Sequence, residues 1–143
     1  MAINRREARE AVFELLFETE FKLSEACEDI FALSVENREV GKDEYEKDEY
    51  IRSTYFGVCA HRAEIDALIN DHAKGWKTSR ISRVSRSILR LSIYEMRYTD
   101  IPKSVSINEA VELCKKYDED SARAFVNGVL NGVKNSIEGG ANA

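Results

Sequence analysis

Proline, glycine and long apolar runs are all scarce in this sequence of 143 residues. It contains one proline, Pro102, and seven glycines, so few positions interrupt long regular elements. No segment approaches the roughly 20 consecutive apolar residues that a transmembrane helix needs. The opening residues MAINRREARE also lack the apolar core of a signal peptide. We therefore expect one helix-rich domain that resides in the cytoplasm and does not contact a membrane.

Cysteine and histidine are scarce as well. Cys27, Cys59 and Cys114 lie far apart, form no Cys-x-x-Cys pair and are accompanied by only two histidines. These spacings argue against a zinc site and against a disulfide framework, so we predict buried, reduced thiols and no metal or other cofactor. Because the motifs GxSxG, GxGxxG, HExxH and the P-loop are absent too, we predict no catalytic residues and no enzymatic activity.

The charge that is present is unevenly distributed along the chain. The formal net charge is -5, but residues 25–49 carry ten acidic side chains against three basic ones. Residues 74–97 reverse this balance, with seven basic side chains against one acidic. Segregated charge of this kind can steer a polyanion towards one surface of an acidic protein.

Apolar residues recur at helical spacing through most of the chain. Asn4 and Glu7 have the spacing of a capping box at the start of the first helix, and Ser106 and Glu109 repeat it near the C-terminus. The charged segment that precedes Asp48 is predicted to be a solvated connection. The predicted helices cover residues 5–22, 24–38, 48–72, 84–98 and 106–117, with a last helix that begins near the acidic residues 118–120.

The stretch SARAFVNGVLNGV, residues 121–133, contains two Asn-Gly dipeptides, which are strong hairpin signals. The apolar spacing from Phe125 to Ile137 is nevertheless helical, and hairpin arms here would be shorter than the usual strand of about 5–6 residues. We therefore predict a helix. Gly128 and Gly132 each cost it about 1 kcal/mol relative to alanine, so we expect a neighbouring backbone to pack closely against them. On this account, Gly128→Leu should loosen the fold.

Three segments together resemble the NusB family of bacterial transcription antitermination proteins: RREAREAV, SRVSRSILRLSIYEM and IPKSVSINEAVELCKKYDEDSARAFVNGVLNGV. The resemblance covers nearly the whole chain, apart from residues 36–50. It implies an all-α fold, a single compact domain of about seven helices arranged as two packed helical bundles. The domain is expected to span residues 1–138, with residues 139–143 as a flexible tail.

The resemblance also implies an RNA-binding adaptor rather than an enzyme. Proteins of this family pair with the small-subunit ribosomal protein NusE and recognise the BoxA element in nascent transcripts such as ribosomal RNA leaders. They join other Nus factors on RNA polymerase and suppress premature termination. Two alternatives stay open: an adaptor that binds only protein, and a homodimer of the free chain.

The candidate RNA-binding residues combine cations, which hold phosphates, with an aromatic ring that can stack on a base. The arginine-rich start of the family matches the first arginines of this chain, and a family aromatic that contacts RNA matches Phe125. Taken alone, these arginines also fit a solvated terminus, and Phe125 also fits a core position. Phe13 and Phe17 are assigned to the core and Arg90 to a structural role. The candidates are Arg5, Arg6, Arg9, Arg83, Arg86, Arg123 and Phe125.

The partner surface is predicted on the helices over residues 84–117. We expect NusE to contact Tyr94, Glu95 and Glu112 there. An ion pair that fixes helix packing is an alternative role for Glu95, because it lies in the strongly apolar stretch ILRLSIYEM.

Overall fold

The computed structural model describes residues 3–75 and 80–140, and their regular structure consists of helices without any strand. This confirms the predicted all-α fold. The chain divides into two compact units, one that ends at Ala60 and one that begins at His61. We call them the N-terminal unit and the C-terminal unit. Within the described part of the chain, no helix is both long and apolar enough to cross a membrane.

The N-terminal unit is a small bundle around α1. Its helices are α1 (Arg5–Thr19), α2 (Cys27–Glu36), α3 (Lys42–Lys47) and α4 (Glu49–Ala60). The first helix packs against α2 and α4, while α3 packs against the same two helices. Aromatic side chains fill much of the core, which contains Phe13, Phe31, Tyr45 and Tyr55.

The C-terminal unit is built around α6. Its helices are α5 (Arg62–His72), α6 (Arg83–Tyr98), α7 (Lys103–Tyr117) and α8 (Asp120–Gly140). The last three helices pack against one another, and α5 packs against α6 and α8. Most of α6 is buried, in keeping with the apolar character of its sequence.

The described residues form eight helices, close to the expected number of about seven and two more than the six ranges predicted from apolar spacing, for two reasons. The predicted helix over residues 48–72 is divided at His61, whose φ of -108° and ψ of 16° leave the helical region. Apolar spacing continues across this break, so periodicity alone could not reveal it. The segment predicted to be a solvated connection contains α3, and the side chain of Tyr45 within it is only 2% exposed.

The two predicted capping boxes have different outcomes. Asn4 does cap α1, because its side chain accepts a hydrogen bond of 2.8 Å from the Glu7 backbone N–H. The box at Ser106 is wrong, since α7 begins three residues earlier, directly after Pro102. A proline has a φ suited to helix initiation and no N–H to satisfy. Ser106 is instead buried, and its hydroxyl donates to Glu95 Oε1 at 2.8 Å.

The prediction of reduced thiols is wrong for two of the three cysteines. Cys27, at the start of α2, and Cys59, near the end of α4, form a disulfide across 32 residues of sequence. Helix packing brings the two residues together, which their sequence spacing could not show. Cys114 is free and buried, as predicted.

The two Asn-Gly dipeptides lie inside the continuous helix α8, so the hairpin is excluded. The close-packing prediction is wrong at Gly128, where an added Cβ would meet nothing within 4 Å. At Gly132 an added Cβ would lie 2.9 Å from His72 Cδ2, so its near neighbour is a side chain rather than a backbone. The helix continues to Gly140, past the start of the predicted tail, and residues 141–143 lie outside the described part.

Candidate nucleic-acid interface

The N-terminal arginines lie on the first turns of α1, next to an aromatic ring of α4. The guanidinium of Arg5 is 4.5 Å from the centre of the Tyr50 ring, and that of Arg9 is 5.5 Å from it. Arg5 and Arg6 are exposed, whereas Arg9 is only 5% exposed. Contact with the ring restrains two long side chains, which reduces the conformational entropy that each would lose on binding a phosphate.

Acidic side chains continue along α1 beyond these arginines. Glu7, Glu10 and Glu14 line a polar groove of about 260 Å³ that also contains Arg38 and Tyr45. The Arg38 guanidinium lies over the Tyr45 ring, 4.2 Å from its centre. The negative potential of the glutamates disfavours a polyanion in this groove, so a phosphate is favoured at the arginine end of α1.

The C-terminal unit contains a larger pocket of about 690 Å³ at the start of α8. Phe125, Tyr117 and Ala122 contribute apolar surface from α8 and the end of α7, and Ile81 contributes from the segment that precedes α6. Phe125 is half-buried, so its ring is neither a core residue nor fully exposed. The volume lies within the range of roughly 300–1,000 Å³ that is typical of small-ligand pockets.

Two hydrogen bonds fix a carboxylate in the wall of this pocket. Ser85 Oγ donates to Asp118 Oδ2 at 2.6 Å, and the Glu119 backbone N–H donates to Asp118 Oδ1 at 2.9 Å. The neighbouring thiol shows the electrostatic effect of this site, because burial and, secondly, the Asp118 charge raise the pKa of Cys114 to about 11. The pocket therefore combines aromatic surface with a fixed hydrogen-bond acceptor.

The other predicted RNA-binding arginines have different surroundings. Arg83 is exposed, whereas Arg86 is half-buried and donates from Nη1 to the Ile81 carbonyl at 3.1 Å. Arg123 forms an ion pair with Asp120 at 3.5 Å. Its Nε is buried and has no hydrogen-bond partner among the described residues. Their predicted contacts with RNA stay predictions.

The C-terminal unit contains an ion pair between a buried arginine, where the sequence predicted a structural role, and a half-buried carboxylate. Arg90 donates from Nε and Nη2 to the two carboxylate oxygens of Asp66, at 2.9 and 3.0 Å. This two-pronged geometry fixes α6 against α5. Arg90 is therefore committed to packing, as predicted.

The three predicted contacts with NusE lie at different depths. Tyr94 is half-buried and its ring lies next to those of His61 and Tyr98. Glu95 is 1% exposed and accepts the Ser106 hydrogen bond, and Glu112 is exposed and pairs with Lys115 at 3.3 Å. Of the three, Tyr94 and Glu112 are accessible to another protein in this structure.

Several residues of these candidate sites were not predicted from the sequence. Tyr50 lies in an acidic segment whose family resemblance is weak, so nothing linked it to α1. Tyr117, Asp118 and Ser85 belong to helix ends that meet only in the folded chain. The adjacency of Tyr117 to Asp118, seven to eight residues before Phe125, was the available signal.

Comparison with known proteins identifies the family. The model of the NusB family matches residues 6–135. The transcription antitermination protein NusB of Agathobacter rectalis is 45% identical over 130 residues, which cover 90% of this chain and 97% of the relative. The solved structure of T. maritima NusB is 36% identical in sequence to this chain and matches it with a TM-score of 0.80. The match covers 94% of this chain and 92% of the T. maritima chain.

A second solved structure, of antitermination factors NusB and NusE in complex with double-stranded RNA, has a TM-score of 0.79 and 29% sequence identity. The match covers 92% of this chain and 96% of the matched one. Family model, relatives and solved structures thus agree over nearly the whole length. The chain belongs to the NusB family of transcription antitermination proteins.

Proposed function

We propose that this chain is an RNA-binding transcription antitermination factor that acts together with the ribosomal protein NusE. The observation that carries the proposal is the pocket around Phe125, because it offers an accessible aromatic surface next to a fixed polar group. Proteins commonly hold unpaired bases on such surfaces, by stacking and by hydrogen bonds to the base edge. A similar solved structure contains a NusB and NusE pair in complex with double-stranded RNA, which supports RNA as the ligand and NusE as the partner but not the unpaired form of the bases.

Cations are the second requirement of RNA binding, and α1 supplies them. Arg5 and Arg6 are exposed at its start, and Tyr50 restrains the Arg5 guanidinium. We assign phosphate contacts to these two arginines. Arg9 lies deeper, between α1 and the Tyr50 ring, so it supports the position of the exposed pair and adds positive potential.

The RNA is proposed to be a single-stranded BoxA element of a ribosomal RNA leader. Stacking on Phe125 requires an unpaired base, which a duplex does not offer. Bound to BoxA and NusE, the chain joins other Nus factors on RNA polymerase. Tyr94 and Glu112 are the accessible candidates for protein contacts, and the free chain is a candidate homodimer.

The proposal is tested by fluorescence anisotropy with a labelled BoxA-type RNA, a scrambled strand and a duplex of the same sequence. Each is titrated with the chain alone and with NusE, at two salt concentrations. We expect the BoxA strand to bind most tightly, to bind more tightly with NusE, and to weaken with salt by about 0.7 log unit of affinity per phosphate contact for each tenfold rise in salt. Binding of NusE without any RNA would instead indicate an adaptor that binds only protein.

Two variants test the assigned residues, and a variant of an arginine outside the proposed site is their control. Arg6→Ala should weaken all RNAs and reduce the log-log salt slope by about 0.7, because one phosphate contact is lost. Phe125→Leu keeps apolar volume but loses the flat ring, so the free energy of RNA binding should become less favourable by about 1–3 kcal/mol. The control is Arg97→Ala, which removes an exposed arginine from α6 and should leave RNA affinity unchanged. Equal affinities of Arg6→Ala and Arg97→Ala would contradict the assignment of α1.

A further inference from the structure

The carboxylate in the pocket of the C-terminal unit points to a role that general RNA binding does not require. A negative charge beside a polyanion weakens binding, and aromatic stacking alone accepts every base. We propose that Asp118, held by Ser85, selects guanine for the base that stacks on Phe125. This inference rests on the proposed function and adds a specificity-determining residue to it.

The geometry of Asp118 suits the recognition of a base edge. Both carboxylate oxygens are oriented by one hydrogen bond each, from Ser85 Oγ and from the Glu119 backbone. An ionised carboxylate offers about four acceptor positions, so each oxygen retains one for a ligand. Its side chain forms no ion pair among the described residues, although the pocket is also lined by a cationic side chain, that of Arg80. A half-buried, oriented acceptor in a pocket wall is ready to receive two parallel donors.

The position of Ser85 makes this orientation rigid. Ser85 is 4% exposed and lies on the first turn of α6, which Ser82 caps by accepting its backbone N–H at 3.1 Å. Asp118 is the C-cap residue of α7, and its own N–H donates to the Cys114 carbonyl at 2.9 Å. Both partners are therefore anchored by helix ends, and the carboxylate loses little freedom when a ligand binds.

The four bases differ in what they present to such an acceptor. Guanine offers the adjacent N1–H and N2–H donors, which match both oxygens of a carboxylate. Adenine and cytosine offer an amino group next to an acceptor nitrogen, and uracil offers one N–H between two carbonyl oxygens that the carboxylate repels. A good two-pronged pair discriminates between bases by about tenfold or more. The pocket should therefore prefer guanine and disfavour uracil.

A simpler role for the same contacts is a tether that joins α6 to the turn between α7 and α8. A tether, or a charge that merely repels phosphate, would act equally on all four bases. The distinguishing measurement is the ratio of affinities between bases, rather than affinity itself.

The experiment uses the full chain and short labelled oligouridines that carry a central G, A, C or U. We expect the guanine strand to bind about tenfold more tightly than oligouridine. Asp118→Asn should reduce this ratio to about one, because its amide donates as well as accepts, and Ser85→Ala should reduce it in part. Glu119→Gln is the matched control, since it removes the same charge from the neighbouring residue and should raise affinity for all strands while the ratio is kept.

The possible results separate the two levels of the proposal. If the parent chain binds none of the strands, with or without NusE, the RNA-binding function itself fails. If it binds all four strands equally, or if Asp118→Asn keeps the guanine preference, the role of Asp118 is overturned while RNA binding stands. Melting curves of each variant show whether the fold is intact, and a folded Asp118→Asn chain that has lost only the preference supports the assignment.

Discussion

The N-terminal and C-terminal units stabilise their interiors with different side chains. In the N-terminal unit, Phe31 stacks on Tyr45 and Tyr55 at ring-centre distances of 5.8 and 6.5 Å. The buried tyrosine hydroxyls are satisfied by hydroxyl partners, Ser34 at 2.6 Å and Thr19 at 2.7 Å. Burial raises the pKa of both tyrosines, so these rings stay neutral at physiological pH.

Whereas the N-terminal unit buries Arg9, Thr19, Glu20 and Thr54 beside its aromatic rings, the C-terminal unit packs its buried charge and hydroxyl groups among aliphatic side chains. None of the buried apolar residues described in this unit is aromatic. Its buried polar residues are Ser85, Ser87, Arg90, Ser92, Glu95 and Ser106. Such groups need partners at defined positions, whereas aromatic rings tolerate small shifts. We therefore expect the stability of the C-terminal unit to be most sensitive to the loss of buried polar partners. The stability of the N-terminal unit should be most sensitive to the loss of its disulfide.

The largest expected effect comes from the ion pair of the C-terminal unit. Arg90→Met should lower the free energy of unfolding by up to about 3 kcal/mol, because the part-buried Asp66 carboxylate loses the partner that satisfied both of its oxygens and keeps Arg62, whose Nε is 4.0 Å away. Urea unfolding gives the total change, and amide hydrogen exchange shows whether α5 and α6 open first.

The double variant Arg90→Met/Asp66→Leu provides the control. Replacing both partners by apolar side chains should recover most of the loss, since no buried charge is then left unpaired. If Arg90→Met alone is as stable as the parent chain, the polar network does not determine the stability of this unit.

A smaller effect is expected from reduction of the disulfide in the N-terminal unit. Opening the bond between Cys27 and Cys59 frees a loop of about 32 residues, for which chain entropy alone sets an upper value of about 4 kcal/mol, and we expect a net loss of about 2 kcal/mol. The aromatic core holds the reduced unit together, so hydrogen exchange should increase mainly in α2 and α4, the two helices that the bond joins. Thermal melts with and without a reductant measure the change.

The variant Cys27→Ser/Cys59→Ser is the matched control, because it should melt like the reduced parent and should not respond to the reductant. A reductant effect that survives in this variant would have to come from Cys114, and the covalent link would not explain it.

These contrasts also show what the sequence could and could not predict. Helices α1, α6 and α8 follow from apolar periodicity, and the all-α fold and the non-enzymatic family are confirmed by relatives and solved structures. The short helix α3 could not be predicted, because six mostly charged residues form a helix only when Tyr45 has a core to enter. The disulfide depends on the packing of α2 and α4, which local patterns do not encode.

The candidate site divides in the same way. Cations at the start of α1 and an aromatic on α8 are visible as residue types in a matching motif. The burial of Arg9 was not visible in the sequence, because helical periodicity does not distinguish a buried charge with partners from an exposed one, whereas the apolar stretch around Glu95 did suggest a packing role as an alternative. Ser85 and Asp118 are separated by 33 residues and become a pair only through the packing of α6 and α7.

The smallest expected effects come from the two glycines of α8, and they test the packing of the C-terminal unit one methyl group at a time. Gly128 faces open space, so Gly128→Ala should stabilise the helix by up to about 1 kcal/mol. Gly132→Ala gains the same helix propensity but places its Cβ 2.9 Å from His72 Cδ2. The His72 ring cannot easily yield, since its Nδ1 is hydrogen-bonded to the Leu68 carbonyl at 2.9 Å. We therefore expect a lower melting temperature for Gly132→Ala than for Gly128→Ala.

His72 provides the check on this reasoning. In the double variant Gly132→Ala/His72→Ala the added methyl group has room, so adding Gly132→Ala to His72→Ala should raise the melting temperature rather than lower it. Equal effects of Gly132→Ala in the two backgrounds would mean that the imidazole does not oppose the methyl group. The cost at Gly132 would then have to arise within α8 itself, and tight contact would explain neither glycine.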